Sequence, residues 1–164
     1  MAANKATITV NASVLPDNVK RSISGTAVYN LNDVGDDNKW VMYVNSVDTS
    51  AQACIPDGVG YYTNDSGDQI ATTDSDVDDL GLILIKHTGF QGDGTSKTTV
   101  NAKLYINVEH NKEASGGAED MYLLPGELWW GRFVHSDLAD ISLEASVGTI
   151  NVEIYAVVDD GGVS

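Results

Sequence analysis

The chain has 164 residues, 42% of them hydrophobic, with one cysteine and a formal charge of −15 from 24 acidic and nine basic residues. That length and apolar content suit a single domain burying roughly 70% of its unfolded surface, and they exclude a disordered chain or a disulfide-stapled scaffold. The acidic field repels phosphate backbones and argues against nucleic acid as a partner, and no apolar run approaches the ~18 residues of a membrane helix.

The first residues, Met-Ala-Ala-Asn-Lys-Ala, lack the basic and apolar regions of a secretory signal, so synthesis in the cytosol and a soluble product are expected. Residues 1–5 read as a flexible arm. Alternation with period two follows: Ala6, Ile8, Val10, Ala12 and Val14 alternate with Thr7, Thr9, Asn11 and Ser13, and Ile23, Gly25, Ala27 and Tyr29 alternate with Ser24 and Thr26. Successive side chains of a strand face opposite sides, so this pattern predicts strands with one buried face. Residues 32–38 read as an Asn/Asp-rich turn. Residues 40–47 are rich in the aromatic and β-branched residues that strands favour.

A long loop spans residues 56–79, with Tyr61 and Tyr62 placed in a short strand inside it. Residues 80–87 are apolar on both faces, as in a strand covered on both sides. The clearest alternation runs over residues 100–108, with Val100, Ala102, Leu104, Ile106 and Val108 on one face and Asn101, Lys103, Tyr105 and Asn107 on the other. A second long loop, residues 111–120, contains Gly116-Gly117. Leu124-Pro125-Gly126-Glu127 then reads as a type II turn, because Pro fixes φ at its second position and Gly accepts positive φ at its third. Strands follow at 128–134, 141–145 and 150–158; the short stretch 136–140 reads as a loop. In the last strand Ile150, Val152, Ile154, Ala156 and Val158 oppose Asn151, Glu153 and Tyr155.

About eight or nine short strands, separated by Gly, Asp, Asn and Ser clusters, predict an all-β fold: an antiparallel two-sheet sandwich, jelly-roll-like. One sandwich domain is expected over residues 6–158, with a loose tail at 159–164.

Few residues point to chemistry. Cys54 has no basic neighbour in Ala51-Gln52-Ala53-Cys54-Ile55-Pro56-Asp57 and reads as a small apolar residue rather than a thiolate nucleophile. Asp74, Asp76 and Asp78 have the D-x-D-x-D spacing of a calcium loop. Asp79 stands where that loop needs Gly, however, and Ile85 where it needs Glu. A solvated turn is therefore favoured over a cation site, and no metal or cofactor is assigned. His87, His110 and His135 form no zinc-binding spacing; His87 ends an apolar strand and reads as a hydrogen-bonded core imidazole. The adjacent His135, Ser136 and Asp137 do not make a triad geometry, and neither a nucleophile elbow nor a phosphate loop is present. Between Trp40 and Ile85 there is no Lys or Arg but there are eight Asp, which reads as solvated loops, or as steering towards a basic partner.

The aromatic segment carries more. Trp129, Gly131 and Phe133 fall on one face of their strand and Leu128, Trp130 and Arg132 on the other. Only one face of a half-exposed strand meets a core. Either both tryptophans are packed within the chain or one belongs to a subunit interface, where Trp and Arg are favoured anchors. Exposed aromatics also suit stacking on sugars.

The sequence Leu123-Leu124-Pro125-Gly126-Glu127, an aromatic strand, Ile141-Ser142-Leu143-Glu144-Ala145-Ser146-Val147-Gly148-Thr149 and a final strand resembles the C-terminal half of small β-sandwich virion proteins of tailed phages. In those proteins a PGE turn, a strand, an I-x-L-x-A-x-x-G-T hairpin and a last strand recur. The likeness covers about residues 121–159. It implies a non-enzymatic capsid decoration (cement) protein, acidic and commonly trimeric, made in the host cytoplasm. Such a protein would sit on the capsid exterior and bind the major capsid protein or another virion protein across capsomers. Trp129, Trp130, Arg132 and Phe133 are the expected contact residues. The competing expectation is a carbohydrate-binding or adhesive module of a tail fibre or neck, and a small hydrolase ranks below both.

Overall fold

The structure, a computed structural model, describes residues 5–14, 21–30, 38–55, 61–63, 69–71, 79–108, 121–132 and 141–159. Its contacts divide the chain into two units, Met1–Gly35 and Asp36–Ser164.

In the first unit, β1 (Lys5–Val14) and β2 (Arg21–Asn30) form an antiparallel ribbon, with Lys5 opposite Asn30 and Val14 opposite Arg21. Neither strand pairs with any other described strand, so this is a two-stranded sheet by itself. The sequence reads as one domain from residue 6 to 158; the sandwich described next is built from the second unit alone.

That unit contributes β3 (Asn38–Val47), β4 (Gln52–Ala53), β5 (Tyr61–Thr63), β6 (Gln69–Ala71), β7 (Asp79–His87), β8 (Leu104–Asn107), β9 (Met121–Leu123), β10 (Leu128–Arg132), β11 (Ser142–Ala145) and β12 (Ile150–Asp159). They form two antiparallel sheets, in the orders β10-β7-β12-β3-β5-β6 and β4-β11-β8-β9. With the β5–β6 hairpin set aside, the other eight pair in nested fashion. The first pairs with the last (β3 with β12), the second with the seventh (β4 with β11), the third with the sixth (β7 with β10), and the fourth with the fifth (β8 with β9). A long folded hairpin rolled so that alternate pairs enter opposite sheets is a jelly roll. The β5–β6 hairpin, inside the long loop predicted at 56–79, extends the larger sheet beyond β3 through Trp40 opposite Thr63.

The sheets share one core. Val47, Ile83, Ile85, Ile150, Val152, Ile154 and Ala156 come from the six-stranded sheet, and Leu104, Ile106, Leu123, Leu143 and Ala145 from the four-stranded one. The alternation predicted for 150–158 is realised over 150–156: Ile150, Val152, Ile154 and Ala156 are fully buried, while Asn151, Glu153 and Tyr155 are half-buried on the reverse face. Along β8 the prediction holds at Ala102, Leu104 and Ile106 but fails at Val100, which is 83% exposed. The chain turns there, with Ala102 N–H donating to Thr99 O at 3.0 Å, so strand parity does not extend back to residue 100. Asn107, expected on the solvent side, is 1% exposed.

The predicted turn at 124–127 is present: Glu127 N–H donates to Leu124 O at 2.9 Å and Gly126 has φ 87°. The Glu127 carboxylate also accepts from Leu124 N–H at 2.7 Å, which locks the corner. The turn is not a hairpin, since β9 lies in one sheet and β10 in the other. Likewise the segment 141–149, a hairpin in the resemblance, sends β11 and β12 to different sheets.

Candidate functional site

β10 is the edge strand of the six-stranded sheet and settles the face of each aromatic residue by its register on β7. Trp129 lies opposite Ile85 and packs against the core cluster. Leu128, Trp130 and Arg132 lie opposite Lys86, Leu84 and Leu82 on the reverse face. Trp130 is half-buried there, and Leu128 and Arg132 are exposed. The four predicted contact residues are therefore not on one surface: Trp129 belongs to the inner face and Trp130 and Arg132 to the outer. Phe133 lies outside the described residues.

Registers across the sheet extend the outer face into a grid. One row runs Leu128, Lys86, Glu153, Val44; the next runs Trp130, Leu84, Tyr155, Met42; the third occupies positions Arg132, Leu82, Val157, Trp40. Nine of these twelve positions hold apolar or aromatic residues. Met42, Val44 and Leu128 are 60%, 49% and 52% exposed. Leu82 is buried without belonging to the core cluster, so that corner of the face is covered.

The two charges in the first row satisfy each other. Lys86 Nζ lies 2.9 Å from Glu153 Oε2, and that hydrogen bond raises the lysine pKa. Both side chains are partly exposed (43% and 32%), so solvent screens the pair and it contributes little to stability. It does pair the two charges that interrupt the first row, between Leu128 and Val44.

The reverse of the four-stranded sheet differs in kind. Tyr105 lies opposite Tyr122, Lys103 Nζ sits 4.5 Å from the Tyr122 ring centroid, and Glu144 lies opposite Tyr105. That surface is mixed and polar, as a solvated sheet face should be. Among the described sheet residues, exposed large apolar or aromatic side chains are thus more numerous on the outer face of the six-stranded sheet (Met42, Val44, Leu128) than on that of the four-stranded one (Tyr122).

Sequence reasoning found β10 but missed Met42, Val44, Leu84 and Tyr155. The signal was present: residues 80–87 are apolar on both faces, and residues 40–44 are apolar without interruption. A strand that buries only one face needs neither.

Other candidates resolve into structural roles. Cys54 is fully buried, its N–H donates to Ile141 O at 2.9 Å, and its carbonyl accepts from Asn45 Nδ2 at 3.2 Å. Burial pushes its thiol pKa far up, away from thiolate chemistry. His87 is fully buried. Its Nδ1 accepts from Gly89 N–H at 3.1 Å, which assigns the ring proton to Nε2, 3.3 Å from Ala102 O. Desolvation lowers its pKa, against the opposing pulls of the Ala102 carbonyl and Glu127. The ring is a neutral clamp between the ends of β7 and β8.

The loop 88–99 is tightly built. Asp93 Oδ1 accepts from Thr95 and Ser96 N–H, both at 2.8 Å, which holds its carboxyl near pKa 2, and Gly92 N–H donates to Thr149 Oγ1 at 3.1 Å. A pocket of 110 Å³ lies beside it, lined by Gln91, Thr98, Thr99, Ala102, Val147, Gly148 and Thr149. That volume holds a few waters, not a sugar ring. Asp74, Asp76, Asp78, His110 and His135 lie outside the described residues. Among the described residues no three His, Cys, Asp or Glu are grouped to hold a metal ion.

Comparison with known proteins returns no match, whether to a protein-family model, a curated protein or a solved structure.

Proposed function

We propose that this chain is a non-enzymatic structural protein of a tailed-phage virion, a capsid decoration protein that docks on the head exterior through the outer face of its six-stranded sheet. The observation that carries this reading is that face: exposed Met42, Val44 and Leu128 beside half-buried Leu84, Trp130 and Tyr155, with Lys86 and Glu153 paired to each other. A contiguous apolar patch rimmed by polar groups is the kind of surface that soluble proteins keep for a partner. Aromatic anchors with Arg132 at the edge give it the composition of an interface centre.

The fold suits a mechanical role. A preformed jelly roll loses little conformational freedom on docking, so apolar burial translates into adhesion between capsomers rather than into ordering the chain. Jelly rolls recur in viral capsid and lectin domains. The resemblance over residues 121–159 favours the virion setting and a homo-oligomer, commonly a trimer in that group.

The test is a quantitative protein inventory of purified heads from a phage encoding the chain, followed by rebinding of the isolated protein to stripped heads. Stoichiometric presence is expected, with rebinding abolished by Val44→Lys and retained by Tyr122→Lys on the opposite sheet. Absence from heads, equal rebinding by Val44→Lys, or selective capture by a glycan array in place of head binding would each overturn the reading.

A further inference from the structure

We propose that His87 and Gly89 form an acid-triggered backbone switch: protonation of the buried imidazole turns over the Thr88–Gly89 peptide, so that Nδ1 stops accepting from Gly89 N–H and donates to the Thr88 carbonyl instead. In the neutral ring both nitrogens are committed, Nδ1 to Gly89 N–H at 3.1 Å and Nε2–H to Ala102 O at 3.3 Å. A proton from solvent can enter only at Nδ1, where the new N–H would face the Gly89 N–H. The ring is fully buried, and turning it over would give up both of its bonds. A buried imidazolium needs an acceptor for each N–H, and Ala102 O supplies one. The second lies on the same peptide as the opposing donor. That unit is planar with its N–H and C=O pointing opposite ways, so half a turn exchanges them.

The surrounding backbone permits the half-turn. Gly89 has φ 85°, and the flip carries it from the left-handed region to the negative side that every residue adopts. The flanking groups are anchored independently. Thr88 N–H and Oγ1 donate to Asn151 O at 3.2 and 2.7 Å, and Gly89 O accepts from Thr98 N–H at 3.0 Å and Thr98 Oγ1 at 3.2 Å. The peptide between these anchors can rotate while both are kept. A Cβ on Gly89 would stand 3.8 Å from Gly126 N and from Pro125 Cβ, which is ordinary contact, so conformation and not space calls for glycine. Burial lowers the ring's pKa, against the Ala102 carbonyl and Glu127 on the adjoining turn, so the ring is neutral at neutral pH. The other charges nearby are engaged elsewhere. On β12 Val152 lies opposite His87, and Glu153 on the reverse face is paired with Lys86. In the segment 88–103 Asp93 is held by Thr95 and Ser96, Lys97 is exposed, and Lys103 lies over Tyr122. The neck of loop 88–99 thus has two backbone states, selected by pH.

The experiment is an NMR titration of the full chain from pH 8 to pH 4. In neutral solution the ring is expected as the Nε2–H tautomer, with a trans-hydrogen-bond coupling between Gly89 N–H and Nδ1. On acidification that coupling should vanish, and the Thr88 carbonyl and Gly89 amide signals should move with the midpoint of the His87 ring. Gly89→Ala, which disfavours positive φ, is expected to raise the ring's proton affinity roughly tenfold. Gly94→Ala, which strains a positive φ of 69° elsewhere in the loop, is expected to leave it unchanged. His87→Gln should abolish the titration of the Thr88 and Gly89 signals, which a purely electrostatic response to Glu127 would preserve. A coupling that survives protonation, Thr88 and Gly89 signals that ignore the ring, equal effects of the two alanine substitutions, or global unfolding before the ring titrates would each overturn the proposal. None of these readouts involves phage heads, so the switch and the head-binding face stand or fall separately.

Discussion

Ile154 occupies the middle of the central strand β12, between Tyr43 on β3 and Ile85 on β7, and is fully buried. Replacing it with Ala removes three carbons. At about 0.8 kcal/mol per buried methylene the lost transfer energy is about 2.4 kcal/mol. Strands clamped on both sides relax little, so a cavity contribution of about 1 to 2 kcal/mol adds to it. The expected cost is therefore about 3 to 4 kcal/mol. With a urea m-value of about 2 kcal/mol/M, the midpoint should fall by about 1.5 to 2 M. Val44→Ala is the matched control: it sits on the neighbouring strand of the same sheet but points to the outer face, and it should cost no more than about 0.5 kcal/mol. Urea titrations followed by far-UV circular dichroism, which reads the whole sheet, measure both. A loss below about 1 kcal/mol for Ile154→Ala, or an equal loss for the two variants, would refute the assignment of inner and outer faces on which the docking surface depends.

Three further outcomes follow from the geometry. His87 is held neutral below its ordinary pKa of 6.5, so the unfolded chain binds its proton first. Its contribution is intact above pH 6.5 and is lost as pH falls through that value towards the folded pKa; the difference in urea midpoint between wild type and His87→Gln, followed from pH 8 to pH 5, should shrink in that window. Gly126 has φ 87° and open space around its missing Cβ, so Gly126→Ala should cost about 1 to 2 kcal/mol from backbone strain alone, and Gly126→Asn less, in thermal unfolding. Gly92 is a packing case instead: an added Cβ would collide with Ser46 Oγ and stand 3.1 Å from Thr149 Cβ. Gly92→Ala should therefore destabilise by about 1 to 2 kcal/mol, and Ser46→Gly should recover part of that in a double-mutant cycle.

Apolar surface on the outside of a sandwich is not needed to fold it; under the proposed function, the outer face of the six-stranded sheet is the surface a partner would cover.

Much of this was legible along the chain. Period-two alternation located β1, β2, β8 and β12, because side-chain direction on a strand is a local property. The Pro125-Gly126 corner was legible for the same reason: φ preferences belong to single residues. So was the separation of Trp129 from Trp130, since neighbours on a strand must face opposite sides. Tertiary structure decided what depends on pairing between distant segments. Nothing local tells Asn38–Val47 to lie beside Ile150–Asp159, or sends β11 and β12 into different sheets. Nor does alternation reveal that a turn at residues 99–101 takes Val100 out of the core, or that, among the described strands, the first two pair only with each other. The sequence by itself determined which residues are apolar and how they alternate. Only the fold decided which apolar rows were consumed by the second sheet and which, from Met42 across to Trp130, were left facing out.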